Sequence, residues 1–204
     1  MKLYYKPAAC SLASHIVLNE IGAAFELDKV DTAAKTTESG SNFLDINPNG
    51  YVPALQINDK DVLIEGAAIL QYLADQNPQT KLAPESGTLE RARLQQHLNF
   101  IASELHKSFG PFFSGRDLSD DERKTTAENV GKKLSTFEAV LSDGRDYLLG
   151  DTFSVADAYL FVVTSWTKYT GIELSPWPNI AAYLDRVGSR PAVLASLKTE
   201  GLLG

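Results

Sequence analysis

The stretch "YYKPAACSLASHIVLNEIG", residues 4–22, decides how the first part of the chain is read. "KLYY" (2–5) is a short β-prone run, and Pro7 stops it because proline has no N–H to give to a strand ladder. "SLASHIVLNEIG" then places Ile16, Val17, Leu18 and Ile21 on a helical repeat and ends at Gly22, a favoured helix C-cap. The only cysteine, Cys10, sits at the junction of strand and helix. A thiol on the first turn of a helix meets the positive end of the macrodipole and unpaired N–H groups, both of which favour the thiolate. A small buried hydrophobe fits the same position equally well. A dithiol redox pair would need a second cysteine at position 13, which is Ala13, so any partner sulfur for Cys10 must come from a ligand.

Working outward, "AFELDKV" (24–30) alternates as a strand does, and residues 31–50 read as loop with at most one short helix. "VPALQI" (52–57) and "KDVLI" (60–64) predict a hairpin turning at Asn58-Asp59, and "GAAILQYLADQ" (66–76) predicts a helix ended by Asn77-Pro78. The order β-α-β-(α)-β-β-α makes residues 1–80 a compact α/β domain. The breaker-rich "NPQTKLAPESG" (77–87) reads as a linker. Beyond it the pattern turns to helices near 87–112, 119–142, 154–170, 179–188 and 191–200, so residues 87–204 are expected to form an all-helical second domain. Within it, "FSVADAYLF" (153–161) carries Ser154 as N-cap and Asp157 at N3, a capping box, with Phe153 and Ala158 as a weak staple. Asp157 is therefore read as structural.

Composition limits the functions open to such a chain. Hydrophobic residues are 44% of the 204, enough for a substantial core, and the net charge of -7 opposes non-specific binding to nucleic acid or anionic membranes. One cysteine closes no internal disulfide, and no run approaches the apolar length of a membrane span or a secretory leader, so a soluble cytoplasmic protein is expected.

Two further stretches carry candidate chemistry. In "NPNGYVPAL" (47–55), Val52-Pro53 enters a strand, and a cis bond there would turn the Val52 backbone outward to pair with an extended peptide; an ordinary trans proline is the plainer alternative. In "LIEGAAIL" (63–70), Glu65 and Gly66 open a helix. Glu65 reads either as a dipole partner or as a group holding a ligand ammonium, with the Gly66 N–H binding a carboxylate. On the first long helix Leu94, Leu98, Ile101 and Leu105 form a core stripe, and Asn99, Ser103 and His106 lie on a neighbouring polar face able to line a cleft.

Taken together, Cys10 after the first strand, Val52-Pro53 after "NPNG" and Glu65-Gly66 opening a helix resemble the glutathione transferases. Cys10 with "LHK" at 105–107 is similar to the bacterial beta class, and the likeness extends over "FSVADAYLF" to the closing "RPAV" and "EGL". The resemblance implies a thioredoxin-like N-terminal domain (1–80) that binds glutathione and a helical domain (87–204) that forms an electrophile pocket. It implies Cys10 and His106 as catalytic residues and Cys10, Lys35, Val52, Glu65, Gly66, Asn99, Ser103, Glu104 and His106 as glutathione contacts, Lys35 at the glycyl carboxylate and Glu104 toward the neighbouring subunit's glutathione. Tyr5 and Ser11 compete for the activating role, and Trp166 and Phe109 are candidates for the pocket wall. The activity implied is conjugation of glutathione, as co-substrate and without a metal, to hydrophobic electrophiles, by a homodimer. A thiol–disulfide or peroxidase side activity would run through Cys10. A glutathione-dependent dehalogenase or isomerase, or a non-catalytic carrier of the same fold, stands as the alternative.

Overall fold

A computed structural model describes residues 1–203. Its contacts fall into two compact units, Met1–Ala83 together with the segment from Ser189 onward, and Pro84–Gly188. The last helix thus belongs with the α/β unit, whereas the sequence reading assigned it to the helical one.

In the first unit β1 (Lys2–Tyr5) lies at the centre of a five-stranded sheet of order β3-β2-β1-β4-β5. It pairs parallel with β2 (Glu26–Asp31), and the crossover that a parallel pair requires is α1 (Ser11–Glu20). On its other side β1 pairs antiparallel with β4 (Ala54–Gln56), which pairs with β5 (Val62–Ile64), while β3 (Thr36–Thr37) edges β2. The hairpin turn is wider than the Asn58-Asp59 pair alone: Asn58 Oδ1 accepts from the N–H groups of Lys60 and Asp61, closing it as an Asx turn. The loop expected over 31–50 holds β3 and a 3-10 turn at Phe43–Asp45, seeded by Asn42 accepting from Leu44 N–H.

Every residue of α1 from Ser11 to Leu18 is buried, which one sheet face cannot achieve for a helix. The sheet and α2 (Gly66–Asp75) account for part of that surface, and α9 (Pro191–Thr199) packs along the rest. Polar ties fix the register of α9 on α1: Asn19 Nδ2 donates to Ser196 Oγ at 2.8 Å, and Arg190 pairs with Glu20 at 2.7 Å.

In the second unit α3 (Leu89–Phe100) runs through a π-helical turn, Ile101–Leu105, into α4 (His106–Ser108). Leu94, Leu98, Ile101 and Leu105 are all fully buried, as their stripe predicts. α5 (Asp120–Leu141) begins at a complete Ser119/Glu122 capping box. α6 (Val155–Ser165) is buried over ten consecutive positions and forms the unit's central rod, against which α3 and α8 (Pro178–Gly188) pack. The helix expected over 154–170 is interrupted at Trp166, with α7 (Thr167–Thr170) following and ending on the left-handed Gly171.

Asp157 has the structural place the capping pattern assigned to it. Its carboxylate accepts from the Ser154 N–H (2.8 Å) and hydroxyl (2.6 Å), from Leu148 N–H (2.8 Å) and from the Tyr183 hydroxyl (3.1 Å). Phe153 packs edge-on against Tyr147, at 5.6 Å between ring centroids. No helix among the described residues is long and apolar enough to cross a membrane.

Candidate active site

The loop Lys6–Cys10 joins β1 to α1 and is closed by short-range bonds. Ala9 N–H donates to Lys6 O, and the buried Ser11 hydroxyl both accepts from Lys6 N–H and donates to Lys6 O, each at 3.2 Å. Ser11 is therefore engaged with the backbone of its own loop, which argues against it as a thiol activator. Tyr5 is buried as well; desolvation first, then the Glu200 charge, pushes its phenol up and keeps it protonated. Cys10 occupies the N-cap of α1, half-buried, and its Sγ donates to the Val52 carbonyl at 3.3 Å. A carbonyl acceptor is satisfied only by the thiol form, so this contact orients the S–H.

Val52 stands at a cis peptide bond to Pro53. The preceding loop is organised by Asn47, which is 2% exposed. Its amide donates to Tyr51 O at 2.7 Å, its side-chain oxygen accepts from Asn49 N–H, and its carbonyl accepts from Gly50 N–H. Lys35, at φ 59, reaches over this loop to Gly50 O at 3.0 Å, its ammonium 5.9 Å from the Tyr51 ring. Gly50 allows that approach: its φ is +67, and a Cβ there would lie 2.9 Å from Lys35 Nζ and 3.2 Å from Leu44 Cδ2.

At the start of α2, Glu65 holds φ 70 and ψ 109, a conformation that L-residues rarely adopt, and its exposed side chain makes no capping hydrogen bond. Gly66 follows at negative φ, and an added Cβ would only touch Pro53 at 3.8 Å, so the protein's own packing does not require glycine here. Both helices that begin beside these residues start without a side-chain cap, whereas α3 is capped by Thr88 and α5 by Ser119. Uncapped N–H groups at a helix start are ready donors for an anion. Cys10 Sγ thus reaches the carbonyl of Val52, and Lys35 holds Gly50 O two residues before Val52.

In the second unit His106 Nδ1 lies 2.8 Å from the Tyr159 hydroxyl, and Trp166 packs edge-on against the imidazole at 4.7 Å. Phe109 is fully buried, and Phe113 meets Trp166 at 5.4 Å while remaining half exposed. Asn99 and Ser103 are exposed, and Ser103 Oγ bonds back to Asn99 O at 2.8 Å. Glu104 is paired to Lys133 of the same chain. Among the described residues, no three or more His, Cys, Asp or Glu side chains converge as metal ligands would.

The family model for the glutathione S-transferase N-terminal domain matches residues 1–75, and the C-terminal domain model matches residues 100–191. The chain belongs to the glutathione S-transferase family. It is 42% identical over 202 residues to glutathione S-transferase GstA of Escherichia coli O157:H7, with 99% of this chain and all of that one aligned. A sphingomonad glutathione S-transferase complexed with glutathione superposes with a TM-score of 0.93 at 48% identity, and the bacterial beta class enzyme of Sphingomonas chungbukensis with 0.94 at 47%, each over the full length of both chains. The transferase therefore has the thioredoxin-like first domain and helical second domain expected of it, and it stands with the bacterial beta class.

In each unit one residue that supports a candidate side chain escaped the sequence reading. Asn47 lies inside the quoted "NPNG" but reads there only as a turn former, and Tyr159, the partner of His106, lies 53 positions away on another helix. His106 itself is held down to about 4 from an ordinary 6.5, by burial first and by the Lys107 charge second. The imidazole of the folded transferase is thus neutral through the physiological range. The unfolded chain binds this proton below pH 6.5 and the folded chain only near pH 4. The stability contributed by neutral His106 is full above 6.5 and is lost as pH falls toward 4. An NMR titration assigned with His106→Gln should show no midpoint for this ring above about pH 5.5; a midpoint near 6.5 would contradict the half-buried, Tyr159-bonded geometry.

Proposed function

We propose that this transferase joins the thiol of glutathione to electrophilic carbon in hydrophobic compounds, with Cys10 lying beside that thiol. The observation carrying this reading is the bond from Cys10 to the carbonyl of Val52, in the loop that the Lys35 ammonium spans, together with the exposed carboxylate of Glu65 at the uncapped start of α2. Glutathione is an extended tripeptide with one ammonium, two carboxylates and a thiol. Glu65 suits its ammonium, and the uncapped N–H groups from Gly66 onward suit the adjoining carboxylate. The Val52 backbone pairs with the cysteinyl amide as an added strand would, and Lys35 takes the glycyl carboxylate. A relative that binds glutathione at 48% identity over the whole chain supports the same ligand here.

When glutathione arrives, a competing acceptor can draw the Cys10 S–H from Val52 O. Two adjacent thiolates repel, so Cys10 stays neutral and donates to the glutathione thiolate during conjugation. His106, neutral by burial, is the second donor in this reading, with Asn99 and Ser103 as further polar contacts. In the redox side reaction the Cys10 thiolate attacks the glutathionyl sulfur of a mixed disulfide, forming a protein–glutathione disulfide and releasing the other thiolate; the thiolate of a second glutathione then attacks that disulfide, freeing Cys10 and leaving as glutathione disulfide. The reading includes a homodimer, in which Glu104 reaches a partner's glutathione only by sharing its carboxylate with Lys133.

The test compares wild type with Cys10→Ala on a chlorodinitrobenzene-type electrophile and on a mixed glutathione disulfide. Disulfide exchange should fall by about a hundredfold or more, because no other thiol exists in the chain, while conjugation falls by about tenfold or less. Exchange that survives the substitution would remove Cys10 from this role. Retention on immobilised glutathione with no turnover of any electrophile would favour the carrier.

A further inference from the structure

Glu200 follows α9 directly, and its side chain is completely shielded from solvent. Both carboxylate oxygens are engaged. Oε1 lies 2.9 Å from Nδ1 of His15, itself buried in α1, and Oε2 accepts the Ala8 N–H at 3.1 Å. A carboxylate so deep in a protein is unfavourable unless its partners demand it. The docking of α9 on α1 has ties besides the His15 bond, because Asn19–Ser196 and Glu20–Arg190 also fix the register.

Ala8 gives the carboxylate a second purpose. It lies two residues before Cys10 at φ 61, a left-handed conformation unusual for alanine and maintained only where surrounding bonds determine it. On one side the turn is pinned by Ser11 to Lys6. On the other the pin is Glu200, whose bond to Ala8 spans 192 positions of sequence. Cys10 hangs between these two anchors and meets Val52 O. We propose that Glu200 is a positioning residue for Cys10: through the Ala8 N–H it fixes the left-handed turn that sets where the thiol sits. The C-terminal segment thereby becomes part of the apparatus that presents the thiol. The inference rests on the reading of Cys10 as the thiol that faces glutathione.

Because the chain has one cysteine, the rate at which an uncharged aromatic disulfide modifies the protein, followed against pH, reports Cys10 alone. Glu200→Ala should speed that reaction about tenfold by freeing the thiol from Val52 O, and should weaken glutathione binding by a similar factor. Glu200→Gln keeps an acceptor for Ala8 N–H and should restore a rate within about twofold of wild type. Arg190→Ala loosens α9 without touching Ala8, and should lower the melting temperature while leaving the thiol rate unchanged. A Glu200→Ala rate within about twofold of wild type overturns the proposal, and so does an equal acceleration in Arg190→Ala. Should Glu200→Ala not fold, Glu200→Asp retains the charge one methylene short of Ala8; an unaltered Cys10 rate in that variant overturns the proposal equally. The probe reaction involves no glutathione, so it can succeed even if Cys10→Ala retains full exchange activity and the reading of Cys10 fails.

Discussion

Asp157→Ala is expected to destabilise the transferase by about 3–5 kcal/mol and to lower its melting temperature by roughly 10 °C. The magnitude follows from what the carboxylate leaves behind. Ser154 N–H, Leu148 N–H and the Tyr183 hydroxyl all point at it within buried structure, and truncation strands these donors where water does not readily replace the acceptor. Burial pushes the Asp157 carboxyl up, and the bonds from Ser154, Leu148 and Tyr183 pull it back down without cancelling the shift. The side chain is thus held by partners rather than by solvent. Asp157→Asn should lose less, because one amide oxygen still accepts from one side. Its NH2 would then face the Ser154 N–H, so recovery is incomplete. Thermal unfolding followed by circular dichroism measures both variants. A fall smaller than about 3 °C for the alanine variant would mean that the box is not what begins α6. The consequence reaches His106, which the proposed function makes a donor to the thiolate, since α6 also carries its hydrogen-bond partner Tyr159.

The sequence was legible wherever local physics decided the outcome. β1 stops at a proline-bearing loop, α6 starts at a capping box, and the Leu94–Leu105 stripe buries its leucines even though a π-helical turn interrupts the repeat. It was opaque where an element's surroundings decided. The apolar face of α9 says that something must cover it but not what, and only the uninterrupted burial of α1 shows that the answer lies in the first unit. The break at Trp166 is equally non-local, since nothing in "SWTKYT" forbids helix, yet the indole is held among His106, Phe109 and Phe113. In the candidate site, Cys10, Val52, Glu65 and Gly66 were singled out by residue type and position, each beside a plainer structural reading, and Lys35 only by the family resemblance. Their supports were not. Asn47, Ser11, Tyr159 and Glu200 act through hydrogen bonds whose partners lie up to 192 positions away, and a residue's type reveals that it can bond but not to what.

Glu65→Ala is expected to weaken glutathione binding about 30-fold while leaving the melting temperature nearly unchanged, a combination that separates a ligand group from a structural one. The stability half follows from the geometry: the carboxylate is exposed and caps nothing, so its removal orphans no donor within the chain. The affinity half follows from charge, since a hydrogen-bonded pair with the ligand ammonium is worth about 2 kcal/mol, which is roughly a 30-fold change in equilibrium constant. Glu65→Gly sharpens the distinction. At φ 70 and ψ 109 every L-residue is strained, whereas glycine adopts that conformation freely, so this variant should raise stability by about 1 kcal/mol even as it loses the ligand. Calorimetric titration with glutathione and thermal unfolding of the three proteins provide the measurements. If Glu65→Ala binds within about threefold of wild type, the carboxylate does not hold the ammonium, whatever α2 contributes to the carboxylate. If Glu65→Gly melts lower than wild type, the conformation is not strain retained for binding, and an unfamiliar backbone angle at the mouth of α2 would need another cause.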